Sequence, residues 1–255
     1  MTILPSLVHN QKAFFASDLH LGLPPYERSR EREKKAVRWL DGIAGEARYL
    51  FLLGDVFDFW FEYRKVVPRG FVRFLGKLAS LADAGVEIHL FSGNHDVWIF
   101  DYLPREIGLT VHHAPFMFSL NEKIFFVGHG DGLGPGDLPY KVLKWIFRNR
   151  VLQWLYAHLI HPDLSMRIGH CWSGHSRYAR GLTETFYGKD REKQILYALS
   201  HLEKEAVDYF LFGHRHIAYD LQLNGKSRII NLGEWITAPH YAVFDGNDVC
   251  LKPVQ

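Results

Sequence analysis

Three features of the sequence predict a layered α/β protein. Short runs rich in β-branched and aromatic residues alternate with longer helical stretches through the first half of the chain, the pattern of strands joined by crossover helices. Five of these runs end at serine or glycine followed by Asp, Asn or His. One long segment, 133–180, interrupts the alternation with a composition of its own.

Taken in order, residues 13–17 form the first predicted strand and 26–47 the first helix, followed by a strand at 49–53, a helix at 69–84 and strands at 87–92 and 123–128. A helix at 191–206 then precedes a strand at 209–212. Beyond Phe212 the alternation stops. Segments 221–223, 227–231 and 241–244 predict a β-meander, turned at Asn224-Gly225 and again around Gly246. Segment 133–180 carries seven basic residues against two acidic ones, so the modest net charge of the whole chain conceals a polarised molecule. It also holds Trp145, Phe147, Trp154, Tyr156 and Trp172, and from 138 to 160 it is apolar around most of a helical circumference. The expectation is a helical insert, or lid, at 133–180 within one domain whose core is 1–132 and 181–255.

With 255 residues, 47% hydrophobic and 23% charged, the chain can bury a full core without disulfides or a structural metal, and it is not a disordered or collagen-like sequence. Cys171 and Cys250 are too few for a disulfide framework or a thiolate zinc site, which fits a reducing compartment. A formal charge of +2 provides no whole-surface field for nucleic acid. The opening MTILPSLVHNQK lacks the features of a signal peptide, and no uninterrupted apolar run reaches about 18 residues. A cytoplasmic protein is expected.

The predicted strands end in Ser17-Asp18-Leu19-His20, Gly54-Asp55-Val56-Phe57-Asp58, Gly93-Asn94-His95-Asp96, Gly128-His129-Gly130-Asp131 and Gly213-His214-Arg215-His216. A single Asp-x-His after a strand is ordinarily a turn aspartate beside a surface histidine, and glycine before a polar residue marks a tight turn. Turn chemistry has no need of histidine, so it does not account for five such clusters in series. Ligands in open α/β sheets gather at the carboxyl ends of strands, where these loops can converge. Asp, Asn and His donors without thiolate suit manganese, iron, zinc or similar ions. Two ions about 3.5–4 Å apart need a bridging carboxylate, for which Asp55 is the candidate.

The motifs D-x-H, G-D-x-x-D, G-N-H-D, G-H-G-D and G-H-x-H, in this order from Asp18 to His216, resemble those of the calcineurin-like metallophosphoesterase superfamily. The resemblance implies a four-layer α-β-β-α sandwich and two divalent metal ions, with manganese the expected choice. It assigns one ion to Asp18, His20, Asp55 and His216, and the other to Asp55, Asn94, His129 and His214. His95 would lie beside the phosphate as the catalytic residue. Asp58 and Asp96 either orient a neighbouring imidazole or cap their own loops.

Within that superfamily, Gly54-Asp55-Val56-Phe57-Asp58-Phe59-Trp60 is similar to the G-D-x-F-(D/E)-x-W motif of the UDP-2,3-diacylglucosamine diphosphatases of lipid A biosynthesis, and 85 positions separate His129 from His214, room for the lid of those enzymes. The resemblance implies hydrolysis of a lipid-linked nucleotide sugar, giving UMP and 2,3-diacylglucosamine 1-phosphate. Contact with the inner face of the inner membrane is expected of such an enzyme. Trp60, Arg177 and Arg180 are candidate substrate contacts, although the two arginines fit a solvated basic helix face equally well. One departure is clear: that branch commonly has arginine where His95 stands. The alternative is a phosphodiesterase acting on nucleotides or nucleic acid with the same centre, its basic insert tracking a phosphate backbone. A non-catalytic scaffold would have lost ligands, and none is missing.

Overall fold

The computed structural model describes residues 1–134, 136, 138–180 and 185–255, and at 139, 170, 172 and 175–180 it describes the backbone alone. The first half runs β1 (Thr2–Ile3), β2 (Lys12–Ala16), α1 (Tyr26–Ile43), β3 (Ala47–Leu52), α2 (Val72–Asp83), β4 (Glu87–Phe91), α3 (Tyr102–Ile107), β5 (Thr110–His112), β6 (Phe116–Leu120) and β7 (Lys123–Val127). The second half runs α4 (Leu138–Arg148), α5 (Arg150–Leu159), α6 (Pro162–Arg180), α7 (Lys193–Leu202), β8 (Tyr209–Phe212), β9 (Ala218–Gln222), β10 (Arg228–Leu232), β11 (His240–Phe244) and β12 (Val249–Pro253).

The strands form two six-stranded sheets, ordered β12-β11-β2-β3-β4-β5 and β1-β6-β7-β8-β10-β9. Strands β2, β3 and β4 are parallel and covered on both faces, which is why they read as unbroken apolar runs rather than alternating ones. Phe14, Leu50, Leu52, Ile88 and Leu90 pack with α1 and α2 on the outer face. Phe15, Tyr49, Phe51 and Phe91 face the opposite sheet. There Phe15, Phe51, Phe118 and Phe125 stack in a ring, with centroids 4.8 to 6.0 Å apart. Each buried ring contributes about 2–3 kcal/mol of transfer free energy. On the far side Phe126, Phe210, Phe212 and Ile229 meet Ile195 and Ala198 of α7. The layers are therefore helix, sheet, sheet, helix, the four-layer sandwich expected. α1 buries Ser29, Arg32, Glu33, Ala36, Trp39, Leu40 and Ile43, a single stripe at helical spacing.

The predicted meander is corrected. β9 and β10 do form an antiparallel hairpin, but β11 crosses to the other sheet, where it lies between β12 and β2. Its inner residues Ala242 and Phe244 belong to the core between the sheets, a long-range requirement that local turn signals do not carry. Three helices are shorter than expected, among them α7, which spans Lys193–Leu202 rather than 191–206. α2 starts at Val72 because Gly70 (φ 113°) and Phe71 (φ 58°) are left-handed. α1 ends at Ile43, since the chain turns at 44–46 to pair Lys12 with Glu46 before β3 starts. The β6–β7 hairpin was not expected, because its turn at Asn121-Glu122 (φ 48° and 64°) lacks the glycine that usually marks one.

The segment between β7 and α7 is helical, but 138–160 is not one helix. Asn149 has extended backbone and its side chain caps α5, accepting from the Val151 and Leu152 amides. The helices lean on loops of the sandwich: Trp98 Nε1 donates to Phe147 O at 2.9 Å, and Tyr63 Oη donates to Ile160 O at 3.1 Å. Tyr156 stacks on Trp98 and packs tilted against Phe61.

Candidate metal centre

The carboxyl ends of β2, β3, β4, β7 and β8 meet at one edge of the sandwich, although they come from two sheets. Backbone bonds lock the loops together: Asp18 N donates to Gly54 O, His20 N to Asp55 O, and Gly213 N to His129 O, each at 3.0 Å. The approach is so close that a Cβ on Gly93 would strike the Asp55 carboxylate, and one on Gly213 would strike Ser17 Oγ and the Asp18 carboxylate. These glycines serve contact between loops rather than a turn. Of the nine non-glycine residues with positive φ among the described residues, five are Asp18 (55°), His20 (45°), Asp55 (48°), His214 (68°) and His216 (51°). Strained backbone thus concentrates at the candidate ligands and is held there by the surrounding bonds.

Among the described residues three groups bring their ligand atoms within 4.8 Å of one another: Asp18, His20 and His216; His20, Asp55 and His95; and Asp55, His129 and His214. Asp55 Oδ2 lies 3.3 Å from His129 Nε2 on one side and 3.9 Å from His20 Nε2 on the other, so this carboxylate stands between the outer groups. Asn94 Oδ1 is 3.2 Å from His129 Nε2. His129 Nδ1 donates to Leu53 O at 2.9 Å, so Nε2 is the nitrogen left to face the cluster.

The donors fit a cation. Nε2 of His20 and Nε2 of His216 lie 3.1 Å apart, and the buried Asp18 Oδ1 and His20 Nδ1 have no hydrogen bond of acceptable geometry among the described residues. Burial works to raise the Asp18 and Asp55 carboxyls, but the surrounding histidines outweigh it and hold both below the usual carboxylate range. Burial likewise opposes charge on His20 and His129, yet the aspartates raise them to about 9 and about 10. The field that holds protons on these rings would hold divalent cations in their place, with release of the protons.

Neighbouring groups fix the cluster. Among the described residues no hydrogen bond or ion pair joins Asp96 to an imidazole; its carboxylate accepts from the amides of Gly93, Val56, Asp55 and Phe57 at 2.7 to 3.3 Å, clamping the Asp55 loop. Asp58 is placed differently: Oδ1 lies 3.6 Å from His20 Nδ1 and accepts from Ser173 Oγ of α6 at 2.8 Å, while its carbonyl accepts from His95 Nδ1 at 3.1 Å. Trp60, expected at the substrate, lies in the core. It is 0% exposed, packs on Phe57 and Tyr102, and its indole donates to Glu62. The side chains of Arg177 and Arg180 lie outside the described residues. Sequence reasoning passed over Asp131, although its motif was visible. It is buried, pairs with Lys144 of α4 at 2.6 Å and accepts from Tyr140 Oη, which ties the helices to the His129 loop.

A family profile described as calcineurin-like phosphoesterase matches residues 12–218. The chain belongs to that family. Among relatives, it is 39% identical to the UDP-2,3-diacylglucosamine hydrolase of Porphyromonas gingivalis, over 96% of this chain and 98% of that protein. It is 29% identical to the protein of the same name from Azotobacter vinelandii, over 93% and 96% of the two chains. A dimetal phosphatase from Danio rerio superposes with a TM-score of 0.50 at 15% identity, covering 95% of each chain, a likeness of fold. As a calcineurin-like phosphoesterase, the chain gathers its aspartates and histidines as a dimetal hydrolase requires.

Proposed function

We propose that this chain hydrolyses the diphosphate of UDP-2,3-diacylglucosamine, releasing UMP and 2,3-diacylglucosamine 1-phosphate. The observation that carries the reading is an apolar cavity of about 180 Å³ opening on Asn94 and His95. Phe59 and Trp98 of the sandwich and Leu143, Phe147 and Tyr156 of the helical segment line it. Such a wall suits acyl chains and offers nothing to a nucleic acid backbone. Relatives named for this hydrolysis match nearly the whole chain, insert included.

In this reading Asp18, His20, Asp55 and His216 hold one divalent ion, and Asp55, Asn94, His129 and His214 hold the other, with manganese the metal we favour. When bound, the pair supplies Lewis-acid charge to the phosphoryl oxygens and makes water acidic enough to act as a nucleophile near neutral pH. The chain's own work is positional. His95 Nδ1 is committed to the Asp58 carbonyl, so Nε2, 3.9 Å from Asp55 Oδ2, faces the reacting phosphate, where it donates a proton or hydrogen bond to the phosphoryl or leaving oxygen. The lid at 133–180 closes the apolar cavity and shields the reacting centre from bulk water.

No helix among the described residues is long and apolar enough to cross a membrane. Leu138, Val142 and Trp145 form an exposed stripe along α4, and Val151, Trp154 and Leu159 are exposed on α5. With Lys141, Arg148 and Arg150 beside them, these faces suit an anionic membrane surface on the cytoplasmic side of the inner membrane. The test is to offer manganese-loaded protein UDP-2,3-diacylglucosamine, single-stranded DNA and cyclic nucleotides side by side. UMP release from the lipid, abolished by Asp55→Ala, is the expected result. Cleavage of DNA or cyclic nucleotides with the lipid untouched would contradict it and favour the phosphodiesterase reading.

A further inference from the structure

A second cavity, of about 350 Å³, borders the cluster at His214 and shares no lining residue with the apolar one at Asn94 and His95. Its walls are polar and aromatic, with Tyr140, Tyr187, Arg191, Lys193 and Arg215 among them. A diphosphate with unlike ends, cleaved at the metal cluster, needs two receptors of unlike chemistry on either side. We propose that this cavity binds the nucleoside monophosphate end of the substrate, with the base stacked against Tyr187 and phosphate charge met by Arg191 and Lys193. The identity of the base as uracil rests on the function proposed above.

The wall that would take the base is built in advance. The Arg215 guanidinium lies 5.4 Å from the Tyr187 ring centroid. It donates through Nε and a terminal nitrogen to the buried Glu192 carboxylate at 2.9 and 3.1 Å, and to Thr185 O at 3.1 Å. Glu192 also accepts from the Tyr187 amide at 3.0 Å, so ring, guanidinium and carboxylate form one rigid unit. That unit is continuous with the metal cluster, because Arg215 stands between His214 and His216 in the chain. Tyr187 itself is 62% exposed and available to stack. The tyrosine face is tolerant of base identity, while Arg191 and Lys193, both exposed at the cavity, supply donors for phosphate oxygens.

The test is calorimetric titration of manganese-loaded protein with UMP and, separately, with inorganic phosphate, which carries the phosphoryl group without the base. Wild type should bind UMP at least tenfold more tightly than phosphate. Tyr187→Ala should weaken UMP by roughly tenfold with phosphate affinity moving less than twofold, and Arg191→Ala should weaken UMP by roughly tenfold, the range for losing a stacking partner or a charged donor. Equal affinities for UMP and phosphate in wild type, unchanged UMP affinity in both variants, or parallel loss for both ligands in Tyr187→Ala would each overturn the proposal. Failure of the broader reading looks different. A protein that binds UMP as described but releases none from UDP-2,3-diacylglucosamine refutes the substrate and leaves the nucleotide site standing.

Discussion

Asp96→Asn tests how the Asp55 loop is held. In the native arrangement Oδ1 accepts from Gly93 N at 2.7 Å and Asp55 N at 3.3 Å, and Oδ2 from Val56 N at 2.8 Å and Phe57 N at 3.3 Å. Whichever way an asparagine amide sits, its NH₂ replaces one of these oxygens, so one short and one long bond are lost and buried donors face donors. At about 1–3 kcal/mol for each buried group left unsatisfied, the short bond at full weight and the long one at a fraction, the cost is about 2–4 kcal/mol. That is a large share of the 5–15 kcal/mol usual for a domain. Burial, followed by the Asp55 charge, raises the Asp96 carboxyl to about 7, so at pH 8 the ionised acceptor dominates but carries a charge penalty that asparagine escapes, and the lost bonds are read locally rather than from global stability. Amide hydrogen exchange at Gly93, Asp55, Val56 and Phe57 in both proteins, with chelator to keep metal from masking the change, measures the difference. A loss of protection under about 0.5 kcal/mol at all four amides would refute the clamp.

Ser173→Ala removes the 2.8 Å donor to Asp58 that links α6 to the cluster. About 1 kcal/mol of lid closure should be lost, raising KM for the UDP-lipid roughly fivefold in steady-state kinetics with kcat less affected. His89 and His112 bond to each other at 3.0 Å, and burial holds both at about 4. The unfolded chain takes up those protons near pH 6.5; their contribution is therefore complete above pH 6.5 and is lost as pH falls from there toward 4. His89→Phe keeps the stack on Phe51. It should remove about 2 kcal/mol of the wild-type stability loss between pH 7 and pH 4.5, after allowance for the partial exposure of His112, as read from urea midpoints at the two pH values. Replacing Trp145 and Trp154 together by serine should reduce sedimentation with anionic vesicles at least tenfold and leave binding to neutral vesicles weak in both proteins.

What was legible in the sequence was whatever is written locally. The strand-ending motifs could be found because each places its residues within four positions of a strand's end, and the structure brings Asp18, His20, Asp55, Asn94, His95, His129, His214 and His216 to one edge. Two-sided burial made β2, β3 and β4 visible as apolar runs. What the sequence hid depends on distant partners. β11 looks like the third strand of a meander until Ala242 and Phe244 are needed between the sheets. Trp60 reads as a ligand contact because its motif adjoins Asp55, yet its indole is directed into the core by Phe57 and Glu62. Asp96 reads as a possible partner for an imidazole, but only the fold supplies the Asp55, Val56 and Phe57 amides that it binds. The links from Ser173 to Asp58 and from Lys144 to Asp131 span the insert boundary and leave no local trace.

The central claim is that one carboxylate, Asp55, is shared by two cations. Anomalous diffraction at the manganese edge from crystals grown with that metal tests it most directly. The account predicts two peaks about 3.5–4 Å apart, one beside His20 and His216 and the other beside His129 and His214, with the Asp55 side chain between them. A single peak, or two peaks of which neither touches Asp55, would contradict it.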